Sequence, residues 1–249
     1  MRGVILAGGS GKRLYPLTRV TNKHLLPVYD EPMIYKVIRT LTGSGVEKIT
    51  ILLGGESVGD FIRLLGDGSE FGASFSYVFQ QGSGGIAEAL GLVRDVVGNE
   101  DLAVALGDNV FEETFSEEFS RFESDRTLDC FLFLKEVDDP RHYGVAKLDE
   151  TGRKILSIEE KPEVPPSKYA VTGLYLFRSD VFRVIDHVAE TVGYHPRGEL
   201  EITPVNDYYV KHGRVGFKLV GGFWCDAGRF SSLLRAGQFF HELARRNSR

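Results

Sequence analysis

Two stretches of this sequence combine residue types at spacings that could handle phosphate. The first is Leu6-Ala7-Gly8-Gly9-Ser10-Gly11-Lys12-Arg13-Leu14, with Lys23 a few residues on, before Leu25-Leu26-Pro27. Gly8, Gly9 and Gly11 let the backbone come close to an anion and turn N–H groups toward it. Arg13 offers a planar fork for phosphate oxygens. Two common phosphate loops are excluded. A Walker loop needs Ser or Thr after Gly-Lys, and Gly11-Lys12 is followed by Arg13. A dinucleotide fingerprint needs Gly-x-Gly-x-x-Gly, and Leu14 stands at the last position. Read alone, the loop is an anion site or a glycine-rich turn with solvated cations.

The second stretch is split. Asp108 stands in Leu106-Gly107-Asp108-Asn109 and Asp226 in Phe223-Trp224-Cys225-Asp226-Ala227-Gly228. Two such carboxylates could hold Mg²⁺ against phosphate oxygens. Each Asp taken alone is more often a turn or helix cap. Cys225 is expected to be a packed neighbour rather than a nucleophile. The six histidines show no metal-ligand spacing.

These residues need a frame. Strands are predicted over 3–7, 48–53, 74–79 and 102–106, and helices over 33–42, 58–65 and 86–97. Alternation of this kind implies a parallel sheet covered on both faces. The glycine loop and Asp108 then follow strands at the carboxyl edge, where open α/β sheets bind ligands. The second half is richer in strands, over 129–134, 145–148, 155–160, 173–177 and 215–220. Helices are predicted there over 179–192, 202–211 and 230–246. No linker or repeat divides the chain, so 1–249 reads as one unit.

Composition narrows the function. The net charge of −5 argues against non-specific nucleic-acid binding. Only Cys130 and Cys225 are present, so no disulfide framework is needed and a reducing, cytoplasmic setting fits. The apolar start is too short for a signal peptide, and no apolar run is long enough to cross a membrane.

The glycine string followed by Asn22-Lys23-His24-Leu25-Leu26-Pro27-Val28 resembles the signature of the nucleotide-sugar pyrophosphorylases, and most closely that of glucose-1-phosphate thymidylyltransferases. The resemblance runs in consistent order from Gly3 to about Ser232. It implies an α/β fold with a Rossmann-like, mostly parallel (mixed) central sheet flanked by helices, the glycosyltransferase A-like nucleotidyltransferase fold. A nucleotide-binding part would span about 1–110, a sugar-binding part about 111–228, and a closing helix 229–246.

By position, the resemblance places Gly8, Gly11, Arg13 and Lys23 on the nucleotide's phosphates, Gln80 and Gly85 on a pyrimidine, and Leu6, Gly9 and Asp108 among the further nucleotide contacts. A Gln amide supplies the donor and acceptor that a pyrimidine edge requires. Asp108 and Asp226 would bind the catalytic Mg²⁺. Tyr143-Gly144-Val145, Ile158-Glu159-Glu160-Lys161-Pro162, Tyr169-Ala170-Val171-Thr172-Gly173-Leu174-Tyr175 and Arg197-Gly198-Glu199-Leu200-Glu201-Ile202-Thr203 match sugar-side motifs. They place Tyr143, Gly144, Glu160, Lys161, Val171 and Arg197 on the hexose and its phosphate.

The implied reaction joins dTTP and glucose 1-phosphate to give dTDP-glucose and pyrophosphate, in the biosynthesis of nucleotide sugars such as dTDP-rhamnose. Arg13, Lys23, Asp108 and Lys161 would carry it. Two departures stand out. Lys12 replaces a small hydroxyl residue, and the prolines of longer members are missing between Gln80 and Gly85, which leaves UTP open against dTTP; a different hexose 1-phosphate is open as well. A non-catalytic nucleotide-sugar-binding regulator and a nicotinamide enzyme are the other classes. The intact charged set argues against the first, and the failed fingerprint against the second. The resemblance implies a homotetramer or homodimer, with no nucleic acid or membrane as partner. Longer members carry extra helices that contribute to a regulatory nucleotide site, and the resemblance leaves open whether such control exists here.

Overall fold

The computed structural model describes residues 1–9, 11–55, 57–82, 84–195 and 198–247. Strand β1 (Arg2–Ala7) is apolar on both faces from Val4 on, so it lies inside the molecule. Short 3₁₀ turns lead to a small hairpin of β2 (Pro27–Val28) and β3 (Glu31–Pro32). Helix α1 (Met33–Gly43) buries Ile34, Val37, Ile38 and Leu41, three and four residues apart. Next come β4 (Lys48–Gly54), α2 (Val58–Leu65) and β5 (Ser74–Gln80).

The helix expected over 86–97 is two pieces, α3 (Ile86–Gly91) and α4 (Arg94–Val97). The break falls at Val93, which is fully buried and has φ −93° and ψ 0°. Its N–H bonds three residues back, to Leu90, so the turn tightens there. Strand β6 (Leu102–Leu106) is followed by β7 (Asn109–Phe111) and α5 (Ser116–Ser124). The periodicity did not reveal α5, because its apolar face amounts to Phe119 and Phe122.

The second half supplies β8 (Cys130–Glu136), β9 (Gly144–Leu148), β10 (Ile155–Glu160) and β11 (Tyr169–Phe177). Helices α6 (Val181–Thr191) and α7 (Thr203–His212) precede β12 (Val215–Leu219), β13 (Trp224–Asp226) and α8 (Phe230–Asn247).

The main sheet runs β10-β9-β11-β6-β1-β4-β5, with β8 and β12 added beyond β11. It is mixed, as expected. Strands β6, β1, β4 and β5 are mutually parallel, whereas β11 runs antiparallel to β6, β8 and β9. Alternation along β1 divides the core: Val4 and Leu6 join one apolar cluster, Ile5 and Ala7 the other. A third cluster lies under α8, where Ala236 and Phe240 cover Val28, Val110, Cys225 and Ala227. That helix therefore clamps the two-stranded ladder of β7 and β13.

Candidate active site

The parallel strands end around one cavity of about 360 Å³. Its walls come from both halves of the chain. On one side β1 runs out into Gly8 and Gly9, with Leu6 behind them. Strand β4 ends beside this loop at Gly54, where a Cβ would lie 2.8 Å from the Gly8 carbonyl oxygen. Only glycine allows that approach. Gly11 does not face the cavity. It takes a left-handed φ of 64°, and its carbonyl accepts from the Thr18 hydroxyl at 2.8 Å. Arg13 lines the cavity and is exposed, on a turn pinned by fully buried Leu14. Lys12 is exposed and lies outside the lining. Gln80 and Gly85 form a further part of the wall.

Lys23 sits on a 3₁₀ turn capped by Asn22, whose Oδ1 accepts from the His24 N–H at 3.0 Å. Its Nζ lies 2.5 Å from Asp108 Oδ2. Burial works against charge on Asp108, but the Lys23 ammonium and the amide of Asn109 hold its carboxyl well below the usual range. His24 is 1% exposed. Burial, helped by the Lys23 charge, pushes it down to about 3, so it is a neutral imidazole.

Asp226 arrives on β13, which pairs with β7 so that Asp226 stands opposite Asn109. Burial and the charge of Asp108 push its carboxyl up, and the Gly228 N–H and the Arg13 charge offset this only in part. A Cβ on Gly228 would lie 2.8 Å from Asp226 Oδ1 and 3.2 Å from both Arg13 Nη2 and Asp108 Oδ2. The two carboxylates and the guanidinium thus border one point. No cluster of three His, Cys, Asp or Glu side chains suited to a metal occurs among the described residues. Two carboxylates beside open space are nevertheless the donor set Mg²⁺ takes when substrate oxygens complete it. The repulsion that raises Asp226 is what a dication would relieve.

The opposite wall carries the sugar-side candidates. Tyr143, Gly144, Glu160, Lys161 and Val171 all line the cavity. Arg197 lies outside the described residues. Lys161 is paired with Glu160 and lies 3.5 Å from Glu201. Burial opposes its charge, yet these two carboxylates raise its pKa. Its φ of 43° is left-handed, which a non-glycine residue adopts at a cost. The Lys161 N–H donates to the Tyr143 carbonyl at 3.0 Å, which fixes this bend. Glu160 is steadied by the Thr203 hydroxyl at 2.5 Å. Gly144 allows the approach, since a Cβ there would meet that hydroxyl at 2.9 Å.

Sequence reasoning passed over several lining residues: His24, Asn109, Tyr175, Glu201, Thr203 and Trp224. All of them sit within or beside motifs already singled out, Tyr175 at the end of the stretch carrying Val171. Adjacency to a motif was the available signal. Cys225 is buried, its thiol donates to the Ser232 carbonyl at 3.3 Å, and burial pushes its pKa up. It is a packed neighbour.

The chain matches the family model described as nucleotidyl transferase over residues 2–242. It is 43% identical to a glucose-1-phosphate thymidylyltransferase of Mycolicibacterium smegmatis, covering 96% of this chain and 82% of that one. A solved Bacillus anthracis structure, described as a glucose-1-phosphate thymidylyltransferase in complex with sucrose, is 46% identical. It covers 96% of this chain and 94% of its own, with a TM-score of 0.88. A UDP-glucose pyrophosphorylase complexed with UDP-glucose shares the fold, at 24% identity and a TM-score of 0.82 over 97% of this chain and 98% of its own. By these matches the chain belongs to the nucleotidyl transferase family, within its glucose-1-phosphate thymidylyltransferase group.

Proposed function

We propose that this protein transfers the thymidylyl group of dTTP to glucose 1-phosphate, releasing pyrophosphate and forming dTDP-glucose. The observation that carries the reading is one cavity with two differently equipped walls: Gly8, Gly9, Arg13 and Lys23 on one, Glu160 and Lys161 on the other, with Asp108 and Asp226 bordering it. A phosphate oxygen of the sugar attacks the α-phosphorus, and the bond to the β-phosphate oxygen breaks. Positioning and charge stabilisation dominate such transfers.

In this reading 1–110 serves the nucleotide and 111–228 the sugar. Gln80 and Gly85 receive the base. The Gly8–Gly9 backbone and Leu6 shape the phosphate path, and Gly11 holds the loop's turn. Arg13 and Lys23 steady the pyrophosphate as it leaves. Glu160, Gly144, Val171 and Tyr143 receive the hexose, and Lys161 and Arg197 its phosphate. Asp108 and Asp226 would hold Mg²⁺, which supplies charge neutralisation at the reacting phosphate. Orientation of the two anions can contribute ~7–11 kcal/mol in favourable cases.

The test is pyrophosphate release with dTTP, UTP, CTP and GTP, each against a panel of hexose 1-phosphates, with Mg²⁺ or EDTA. Preference for dTTP and glucose 1-phosphate, abolished by EDTA, is expected. Faster turnover with UTP would reassign the nucleotide.

No helix among the described residues is long and apolar enough to cross a membrane. We propose a cytoplasmic enzyme that self-associates as a dimer or tetramer. Exposed Tyr29, Phe230 and Leu234 around an apolar groove support self-association, and light scattering on the purified protein tests it.

A further inference from the structure

Strand β11 changes neighbours in mid-course. Tyr169 and Ala170 pair with β9, and residues 174–177 pair with β6. Gly173 falls at the fork, outside both ladders. Its N–H donates instead to the side chain of Asn109, at 2.9 Å from Oδ1. The same oxygen accepts from the indole Nε1–H of Trp224, also at 2.9 Å. The other end of the amide donates through Nδ2 to Asp108 Oδ1 at 3.1 Å.

Two N–H donors on one atom fix which end of this amide is oxygen. Asn109 is 4% exposed, so water does not readily replace these bonds. The packing is close as well: a Cβ on Gly173 would come within 2.5 Å of Asn109 Cγ. One amide therefore ties the end of β6, the bend of β11 and the start of β13.

The consequence falls on the two carboxylates. Asp108 has one oxygen bound by Lys23 and the other by Asn109. Each carboxylate oxygen has a second lone pair, which stays available. Asp226 is two residues beyond Trp224, on the strand that Oδ1 holds. We infer that Asn109 is a positioning residue that sets the spacing of Asp108 and Asp226, holding Asp108 through Nδ2 and the Trp224 strand through Oδ1. Partners behind a metal's ligands commonly control its affinity in this way. The inference rests on the metal reading given above.

Trp224 is the only tryptophan in the sequence, so its emission reports this amide directly. The test is a Mg²⁺ titration of the full chain with dTTP and no sugar phosphate, read by Trp224 emission. Pyrophosphate release with both substrates gives the Mg²⁺ half-saturation independently. Asn109→Leu removes donor and acceptor together and is expected to raise the half-saturation about 10–100-fold. Asn109→Asp keeps an acceptor for Trp224 and Gly173 but sets a second carboxyl against Asp108 Oδ1 in place of the amide donor, and the two must repel or share a proton that the metal has to displace. This variant is expected to fold and to keep the metal-free emission, yet to shift the half-saturation by about tenfold or more. An unshifted half-saturation in Asn109→Asp, or in a folded Asn109→Leu, overturns the inference. A wild-type protein that turns over without any divalent cation overturns it together with the metal reading, and the wild-type curve tells these two failures apart.

Discussion

Lys23 Nζ lies 2.5 Å from Asp108 Oδ2, so the cation assigned to the nucleotide's phosphates is also the counter-ion of a carboxylate assigned to the metal. The pair is nearly buried, with side-chain exposures of 13% and 9%. Removing one partner from a buried pair leaves a charge uncompensated, which is where large penalties arise. Asp108→Asn keeps an acceptor for Lys23 but leaves its ammonium without a counter-charge, so the protein should still fold with stability lowered by up to about 3–5 kcal/mol. Loss of the charge should lower kcat by roughly 10²–10³. Turnover and melting measured on one preparation decide it, and near wild-type turnover contradicts the metal role.

Arg13 is the opposite case. It is exposed, and no ion pair restrains it among the described residues. Arg13→Ala should therefore change stability by no more than about 0.5 kcal/mol while kcat/KM for the nucleotide falls steeply. A denaturant melt beside steady-state kinetics checks both halves, and a collapsed fold would count against an exposed phosphate ligand.

Gly54→Ala tests the backing of the glycine loop. Its Cβ would press on the Gly8 carbonyl at 2.8 Å, on backbone that cannot rotate away. The strain should cost about 1–3 kcal/mol, and the displaced loop should raise KM for dTTP more than KM for glucose 1-phosphate. Equal effects on the two substrates would mean that the loop serves neither wall selectively.

Asp139 predicts an acid response. It accepts from the Arg141 backbone at 3.2 Å and from its guanidinium at 2.8 and 2.9 Å, just before Tyr143. The Arg141 bonds lower its pKa to about 2 from an ordinary 3.8. A depressed carboxylate binds fewer protons folded than unfolded. Its contribution is thus complete above about pH 4 and is lost as pH falls through about 2. Melting of Asp139→Asn against the parent between those values should show a difference that shrinks toward acid. A difference constant with pH would place the effect elsewhere.

Local chemistry was legible where one motif held its own reason. The run from Leu6 to Arg13 announces close backbone approach, and Asp108 ends an apolar strand, so both fall at the carboxyl edge of the sheet. Helix α5 was not legible, because two phenylalanines make too faint a stripe. The break at Val93 was hidden, since Ala87, Leu90, Val93 and Val97 are all buried three and four residues apart, so the apolar stripe runs unbroken across it. Asn109, Glu201 and Thr203 belong to readable motifs, but their tasks come from partners far off in sequence. Trp224 is 115 residues from Asn109, and no spacing rule spans such a gap. The resemblance named Lys161 for its charge, whereas its left-handed backbone and two carboxylate neighbours follow from β9, β10 and the start of α7 meeting there.

The fork in β11 has one more consequence. The amide proton of Gly173 is sheltered by a side chain, whereas residues 169–171 and 174–177 are paired with neighbouring strands. Hydrogen–deuterium exchange along β11 should therefore report two different events. The flanking amides open with the sheet, whereas the Gly173 proton opens whenever the Asn109 amide lets go. One backbone position in the middle of the protein thus serves as a built-in gauge of the candidate site, readable while the rest of the strand stays closed.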